Sequence, residues 1–423
     1  MQKFNSVLNL FYLICLISLF VFHGFLLSEN NALPFFYKDY PTYENNGKKN
    51  FDMASESLVL NRIDFAVLDI EYKHRFHLWR AGNEKAQDGE SFEKEEADIS
   101  NKKINLLNGY PYQSQIGLHS WFWSFMAKGF GVEYGNYRLI KLMSVLLFSF
   151  SLAFVLVWIK IEFGNIAGYS ALFFSVFSTG FALFSSSLYW AAFLFILPIA
   201  AVCVLSILKV ERVWVIFLVV TPFLFMKFLA GYEFITVLGL AMAFPYIFNF
   251  INFSEKAALK KDVVLVLASA LAFVGSLLLY DKLFRLDFSG SGFEHIFGRS
   301  ESWSLSSFGE KGLNPISQVV KISIMNFMDV NGFGIPLLAF LGLIVGILIY
   351  TRNIITKRDY LGMFYVLFGS LSWFIVQTGH MLFHPRFAIF VLAFPFGLFI
   401  TAYTSRLLET YLQSKKMKWE KPV

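Results

Sequence analysis

The stretch Asn50-Phe51-Asp52-Met53-Ala54-Ser55-Glu56-Ser57 sets two carboxylates four residues apart among small and apolar side chains. On a helix that spacing stacks Asp52 and Glu56 on one face, a turn apart. A carboxylate beside a membrane surface is partly desolvated, which raises its pKa and makes it a better proton acceptor. The chemistry such a pair offers is general-base activation of a hydroxyl. The structural alternative makes Asp52 a helix N-cap and Glu56 a solvated side chain.

Positive groups that could receive a phosphate lie far along the chain. In Gly379-His380-Met381-Leu382-Phe383-His384-Pro385-Arg386, Arg386 can hold a lipid phosphate by a bidentate contact and His380 or His384 by a charge-assisted bond. Two histidines four apart could share a divalent metal on a continuous helix, but Pro385 opposes one there, so no metal ligands are assigned. Lys227 and Glu233 flank a turn inside a nearly continuous apolar run, where ionisable groups either pair or serve a site. Arg138 opens another apolar run and could stand behind the phosphate groups. Asp281, Lys282 and Arg285 read as snorkelling anchors of a helix end, and His74, His77, Arg80, His295 and Arg299 as loop residues.

These residues must be positioned by a membrane bundle. Of 423 residues, 56% are apolar and 16% charged, against about a quarter charged in a soluble domain. The net charge of +6 belongs with topology, not with nucleic acid, because cytoplasmic loops accumulate Lys and Arg. Cys15 and Cys203 both fall in apolar runs and give neither a disulfide framework nor a thiolate site. A spanning helix needs about 20 mostly apolar residues. Runs 7–27, 138–160, 165–185, 187–208, 213–229, 232–252, 262–283, 332–350, 360–379 and 387–408 qualify or nearly do, with 7–27 read as a retained helix, not a cleaved signal.

The sequence therefore predicts an all-α polytopic membrane protein of about ten helices. Its parts are a first helix (1–27), a large outer segment (28–137), a six-helix bundle (138–283), a second outer segment (284–331), three further helices (332–408) and a basic tail (409–423). Basic connections at 209–212, 255–262 and 351–359, with Lys415, Lys416, Lys418 and Lys421, put both termini and the tail in the cytoplasm of a cell membrane. Residues 113–130 would break that parity if they crossed. Their Gln113, Gly117, Ser120, Ser124 and Lys128 share one face and Ile116, Trp121, Phe122, Phe125 and Met126 another, which predicts a helix lying in the interface. Within the outer segments, 28–51 is turn-rich, 52–70 has helical periodicity, 82–103 is a charged excursion and Pro315–Met328 a candidate amphipathic helix.

The stretch Gly109-Tyr110-Pro111-Tyr112-Gln113-Ser114-Gln115-Ile116-Gly117-Leu118, the in-plane helix, Gly129-Phe130-Gly131 and Arg138 at a helix start resemble membrane glycosyltransferases of the GT-C fold. That superfamily holds the protein mannosyltransferases and aminoarabinose transferases, and the resemblance covers about residues 1–160. It implies a polyprenyl-phosphate-linked sugar donor, a glycan, lipid or protein acceptor, and a base shortly after the first helix. Asp52 is the residue at that position and Glu56 the second choice; many members carry adjacent acids where this chain separates them by four. A lipid-linked saccharide polymerase or ligase keeps the same substrate class. A transporter or lipid-handling protein is the non-enzymatic alternative, although midplane polar groups and repeated halves are not evident.

Overall fold

Nearly every apolar run of the sequence is a helix. The computed structural model describes residues 2–28, 43–45, 48–50, 53–71, 77–80, 109–113, 115–302, 337–377 and 388–419. The helices are α1 (Gln2–Ser28), α2 (Met53–Val67), α3 (Leu118–Gly129), α4 (Arg138–Phe163), α5 (Asn165–Phe177), α6 (Thr179–Ser186), α7 (Ala192–Ile207) and α8 (Val213–Ala230). They continue with α9 (Ile235–Phe253), α10 (Lys256–Asp287), α11 (Gly292–Ser302), α12 (Leu337–Thr351), α13 (Lys357–Val376), α14 (Ala388–Val391) and α15 (Leu398–Trp419). A wider-wound stretch at Leu392–Gly397, around Pro395, joins the last two.

Two short antiparallel pairs complete the described elements: β1 (Tyr43–Asn45) with β2 (Lys48–Asn50), and β3 (Leu78–Arg80) with β4 (Tyr110–Tyr112). Among the described residues, α4, α8, α9, α10 and α13 are each long and apolar enough to cross a membrane. The α5–α6 pair qualifies as one further span bent by 62°, and α1, α7 and α12 contribute shorter apolar helices. The chain is an all-α, multi-pass membrane protein.

Its core is built from aromatic rings on α4, where Trp158 and Phe163 pack against Phe244 and Phe248 of α9 and Trp158 also meets Phe399 of α15. Edge-to-face and offset pairs of this kind hold helices together where lipid offers no hydrophobic drive between them. The outer faces of α10 and α13 expose Val266, Leu278, Leu361 and Phe364, as lipid-facing surfaces do.

The bundle has two chemically distinct ends. At one, Ile166 N–H donates to Glu409 at 3.0 Å, and Arg358 donates to the Asn252 carbonyl at 2.8 Å. These contacts gather the α4–α5, α9–α10 and α12–α13 connections, with Lys256, Arg352, Lys357 and Arg358, at a basic end. At the other, α2, α3 and the β3–β4 pair form a roof over the start of α4, the 187–191 corner between α6 and α7, the 231–234 corner between α8 and α9, and the end of α10.

Two sequence boundaries shift. Helix α10 begins at Lys256 and ends at Asp287, so Lys256, Lys260 and Lys261 lie on the helix instead of in a connection. The interfacial helix also presents its faces differently from the expectation. Ser120 is buried with His119, Trp123 and Ala127 against the bundle, while Trp121, Phe122 and Phe125 are exposed, Phe125 by 76%. Small and polar side chains allow close approach to the protein, and the large rings remain for the membrane. The charged excursion at 82–103 and the candidate helix Pro315–Met328 lie outside the described residues.

Candidate functional site

The roofed end converges on the corner Ser187-Leu188-Tyr189-Trp190. Helix α6 stops at Ser186 and α7 starts at Ala192, so the tight turn between them has backbone N–H groups without helical partners. Glu56, in the first turn of α2 and 3% exposed, supplies the acceptors. Ser187 Oγ donates to it at 3.0 Å, Leu188 N–H lies 3.1 Å from each carboxylate oxygen, and Tyr189 N–H donates at 3.1 Å. Lys141 Nζ of α4 stands 3.5 Å away and balances the charge. Both oxygens are therefore committed, and the reading of Glu56 as a solvated side chain is corrected. Its long-range partners, more than a hundred residues downstream, have no local signature.

The same corner seats α3. Trp123 Nε1 donates to the Leu188 carbonyl at 3.2 Å, and the His119 ring meets Tyr189 edge-on at 5.9 Å. Gly117 starts the helix in the left-handed region (φ 69°), and a Cβ there would stand 2.6 Å from Leu78 Cγ of β3. Arg62 of α2 lies over the exposed Trp121 ring at 5.2 Å.

Beneath α3, at the α8–α9 corner, is a buried polar cluster. Lys227, only 5% exposed, donates to the Gly231 carbonyl at 2.9 Å. A Cβ on Gly231 would collide with Glu233 Oε2 and stand 2.6 Å from Gln115 Oε1, so the carboxylate and the amide both press on this glycine. Gln115 and His119 are buried, and neither Gln115 Nε2 nor either His119 ring nitrogen has a hydrogen-bond partner. Burial first, then the Lys227 ammonium, pushes the His119 pKa down to about 3, so the ring is neutral. Lys227 and Glu233 lie within electrostatic reach of each other at this corner, with Lys227 hydrogen-bonded to the Gly231 carbonyl. Gln115 and His119 were missed as site residues; the sequence signal was their polar spacing around Gly117, just before an aromatic-rich helix.

The remaining candidates scatter. Arg138 is exposed at the start of α4. Asp281 is no free anchor: it accepts from Arg285 at 2.7 Å, Ser291 Oγ at 3.0 Å and Phe293 N–H at 3.3 Å, and so shapes the turn from α10 into α11. His77 is buried and pairs with Asp287 at 2.8 Å, tying the β3 segment to the end of α10, where Tyr280 donates to the Gln113 carbonyl. Asp52, His380, His384 and Arg386 lie outside the described residues, as does His74, and the Arg80 and Arg299 side chains are likewise not described. Among the described residues no three His, Cys, Asp or Glu side chains gather into a metal-binding group.

No family model matches the chain, and neither a curated protein nor a solved structure matches it.

Proposed function

We propose that the chain is a membrane glycosyltransferase that takes a sugar from a polyprenyl-phosphate carrier and attaches it to a glycan, lipid or protein acceptor at the roofed end of a ten-span bundle. The observation that carries this reading is the polar cluster of buried Gln115, His119 and Lys227 with the partly exposed Glu233, at a short helix whose aromatic face is exposed. Polar groups placed at one membrane-proximal end suit a lipid-borne substrate better than a midplane transport route does. The GT-C resemblance around Gly109–Arg138 supplies the reaction class.

In this reading the acceptor oxygen attacks the anomeric carbon and its proton passes to a carboxylate. The bond to the phosphate oxygen breaks with its electron pair, and polyprenyl phosphate departs. Glu56 is engaged by four donors, so Asp52, one turn earlier, takes the base role and Glu56 holds α2 in place. Arg138, His380, His384 and Arg386 are the groups for the phosphate.

The test is transfer from a panel of labelled polyprenyl-phosphate sugars by the full-length protein in lipid vesicles. Asp52→Asn is expected to lower turnover by about a hundredfold or more with folding intact. Full transfer by that variant overturns its role, and no turnover with any donor overturns the enzyme. The 62° break between α5 and α6 is an observation that favours a transporter, since broken helices build transport sites. Uptake or flipping of the lipid without bond cleavage would be its signature.

A further inference from the structure

We propose that Gln115, His119 and Glu233, with Lys227 behind them, form a subsite for sugar hydroxyl groups, an assignment that rests on the glycosyltransferase reading above. Buried polar atoms in folded proteins almost always find partners, so several unengaged ones gathered around one corner point to a ligand. Here the Gln115 amide nitrogen and both His119 nitrogens are unengaged, and the two side chains are only 3% and 1% exposed. The partly exposed Glu233 lies beside them, against Gly231 and Gln115.

The chemistry of the set selects the ligand class. A phosphate offers only acceptors and calls for donors and positive charge. This cluster is mixed: a neutral imidazole presents one N–H and one bare nitrogen, the amide presents N–H donors, and Glu233 presents acceptors. The Glu233 carboxylate also offsets the Lys227 ammonium, one of whose N–H groups is already directed to the Gly231 carbonyl. A hydroxyl group both donates and accepts, and several of them on a ring match an array of both kinds. Lys227 therefore leaves the phosphate role that its charge alone suggested. The exposed ring face of α3 beside the cluster gives the polyprenyl chain an apolar approach.

The test compares two probes on the full-length protein in nanodiscs: a polyprenyl monophosphate, and the same lipid carrying a hexose. Binding is read by tryptophan fluorescence and by the shift in unfolding temperature. The wild type is expected to bind the hexose-bearing lipid more tightly than the bare phosphate. Gln115→Leu and His119→Phe are each expected to lose about tenfold of that preference, the weight of one or two hydrogen bonds, with bare-lipid affinity unchanged. His119→Gln, which keeps a donor and an acceptor, should retain part of it and guards against simple misfolding. Variants that keep the full preference would overturn the subsite and leave the enzyme reading standing. Loss of affinity for both lipids alike would return the cluster to the phosphate and overturn the hydroxyl assignment. A wild type that binds neither lipid would overturn both readings.

Discussion

Two buried side chains at the roofed end have opposite relations to charge. Glu56 is ionic and fully engaged, so Glu56→Ala strands the Leu188 and Tyr189 N–H groups and leaves Lys141 without its counterion. Unsatisfied buried donors cost about 1–3 kcal/mol each, and Glu56→Ala should lower stability by at least about 2 kcal/mol, with Glu56→Gln losing less because one acceptor oxygen remains. Unfolding in detergent with a fluorescence readout checks both, and an unchanged midpoint for the alanine variant would dismiss the tether. His119 is neutral and buried, with Tyr189 against its ring and the Lys227 ammonium within electrostatic reach. Its folded pKa of about 3 lies below the 6.5 of a free histidine, so the unfolded chain binds more protons as pH falls between them. Stability is then present above pH 6.5 and is lost on acidification through that window, by about 2 kcal/mol between pH 7 and pH 5. His119→Gln should flatten that slope in a pH series of unfolding midpoints. A slope equal to that of the wild type would show that other groups carry the acid sensitivity.

At the scale of elements, α3 and its junction with β3 test whether the roof is a rigid part of the fold. Gly117 combines a left-handed backbone with contact to Leu78, so Gly117→Ala should cost about 2 kcal/mol and loosen the seating of α3. Increased proteolysis within 115–130 in the variant, and not in a Gly129→Ala control whose Cβ meets nothing, is the expected pattern. Equal cleavage in both would separate the junction from the seating. The same helix marks how far the sequence could be read. Its position and length were legible because Trp, Phe and small residues alternate with helical spacing, and the apolar runs gave α4, α8 and α9 to within about three residues. Which face turned inward was not legible. A polar stripe normally implies water, whereas here Ser120 is buried, His119 and Trp123 meet the 187–190 corner and lipid-seeking rings turn outward. The Glu56 cradle and the Gln115–His119–Lys227–Glu233 cluster were hidden for a related reason. Each joins segments about 70 to 130 residues apart, and periodicity reports only neighbours within a turn or two.

At the scale of the whole molecule, the sidedness of the site depends on one broken helix. If the bent α5–α6 pair crosses, three passes (α4, α5–α6, α7) separate Glu133 from Glu211, and six (those three, α8, α9, α10) separate Glu133 from Ser289. With the shorter α7 and α12 counted as passes, Glu133 and Ser289 then share a side, and Glu211, Lys256 and Asn353 share the other. The Lys and Arg gathered at the latter end predict that it faces the cytoplasm, since a bilayer retains basic loops on that side. If the pair instead turned back as a re-entrant loop, one pass would vanish, Glu211 would join Glu133, and everything beyond it would invert. Single cysteines at these five exposed positions, in a background with Cys15 and Cys203 replaced by alanine, distinguish the two arrangements. With a membrane-impermeant maleimide on intact cells, Glu133→Cys and Ser289→Cys should label directly. Glu211→Cys, Lys256→Cys and Asn353→Cys should label only after permeabilisation. Labelling of Glu133→Cys and Glu211→Cys from one side would make α5–α6 re-entrant. The roofed cluster and the end of α10 would then have to lie on opposite faces, against the Tyr280 contact to Gln113 that joins them. Because that contact already binds the two regions together, the crossing arrangement is the one consistent with the packing of the bundle.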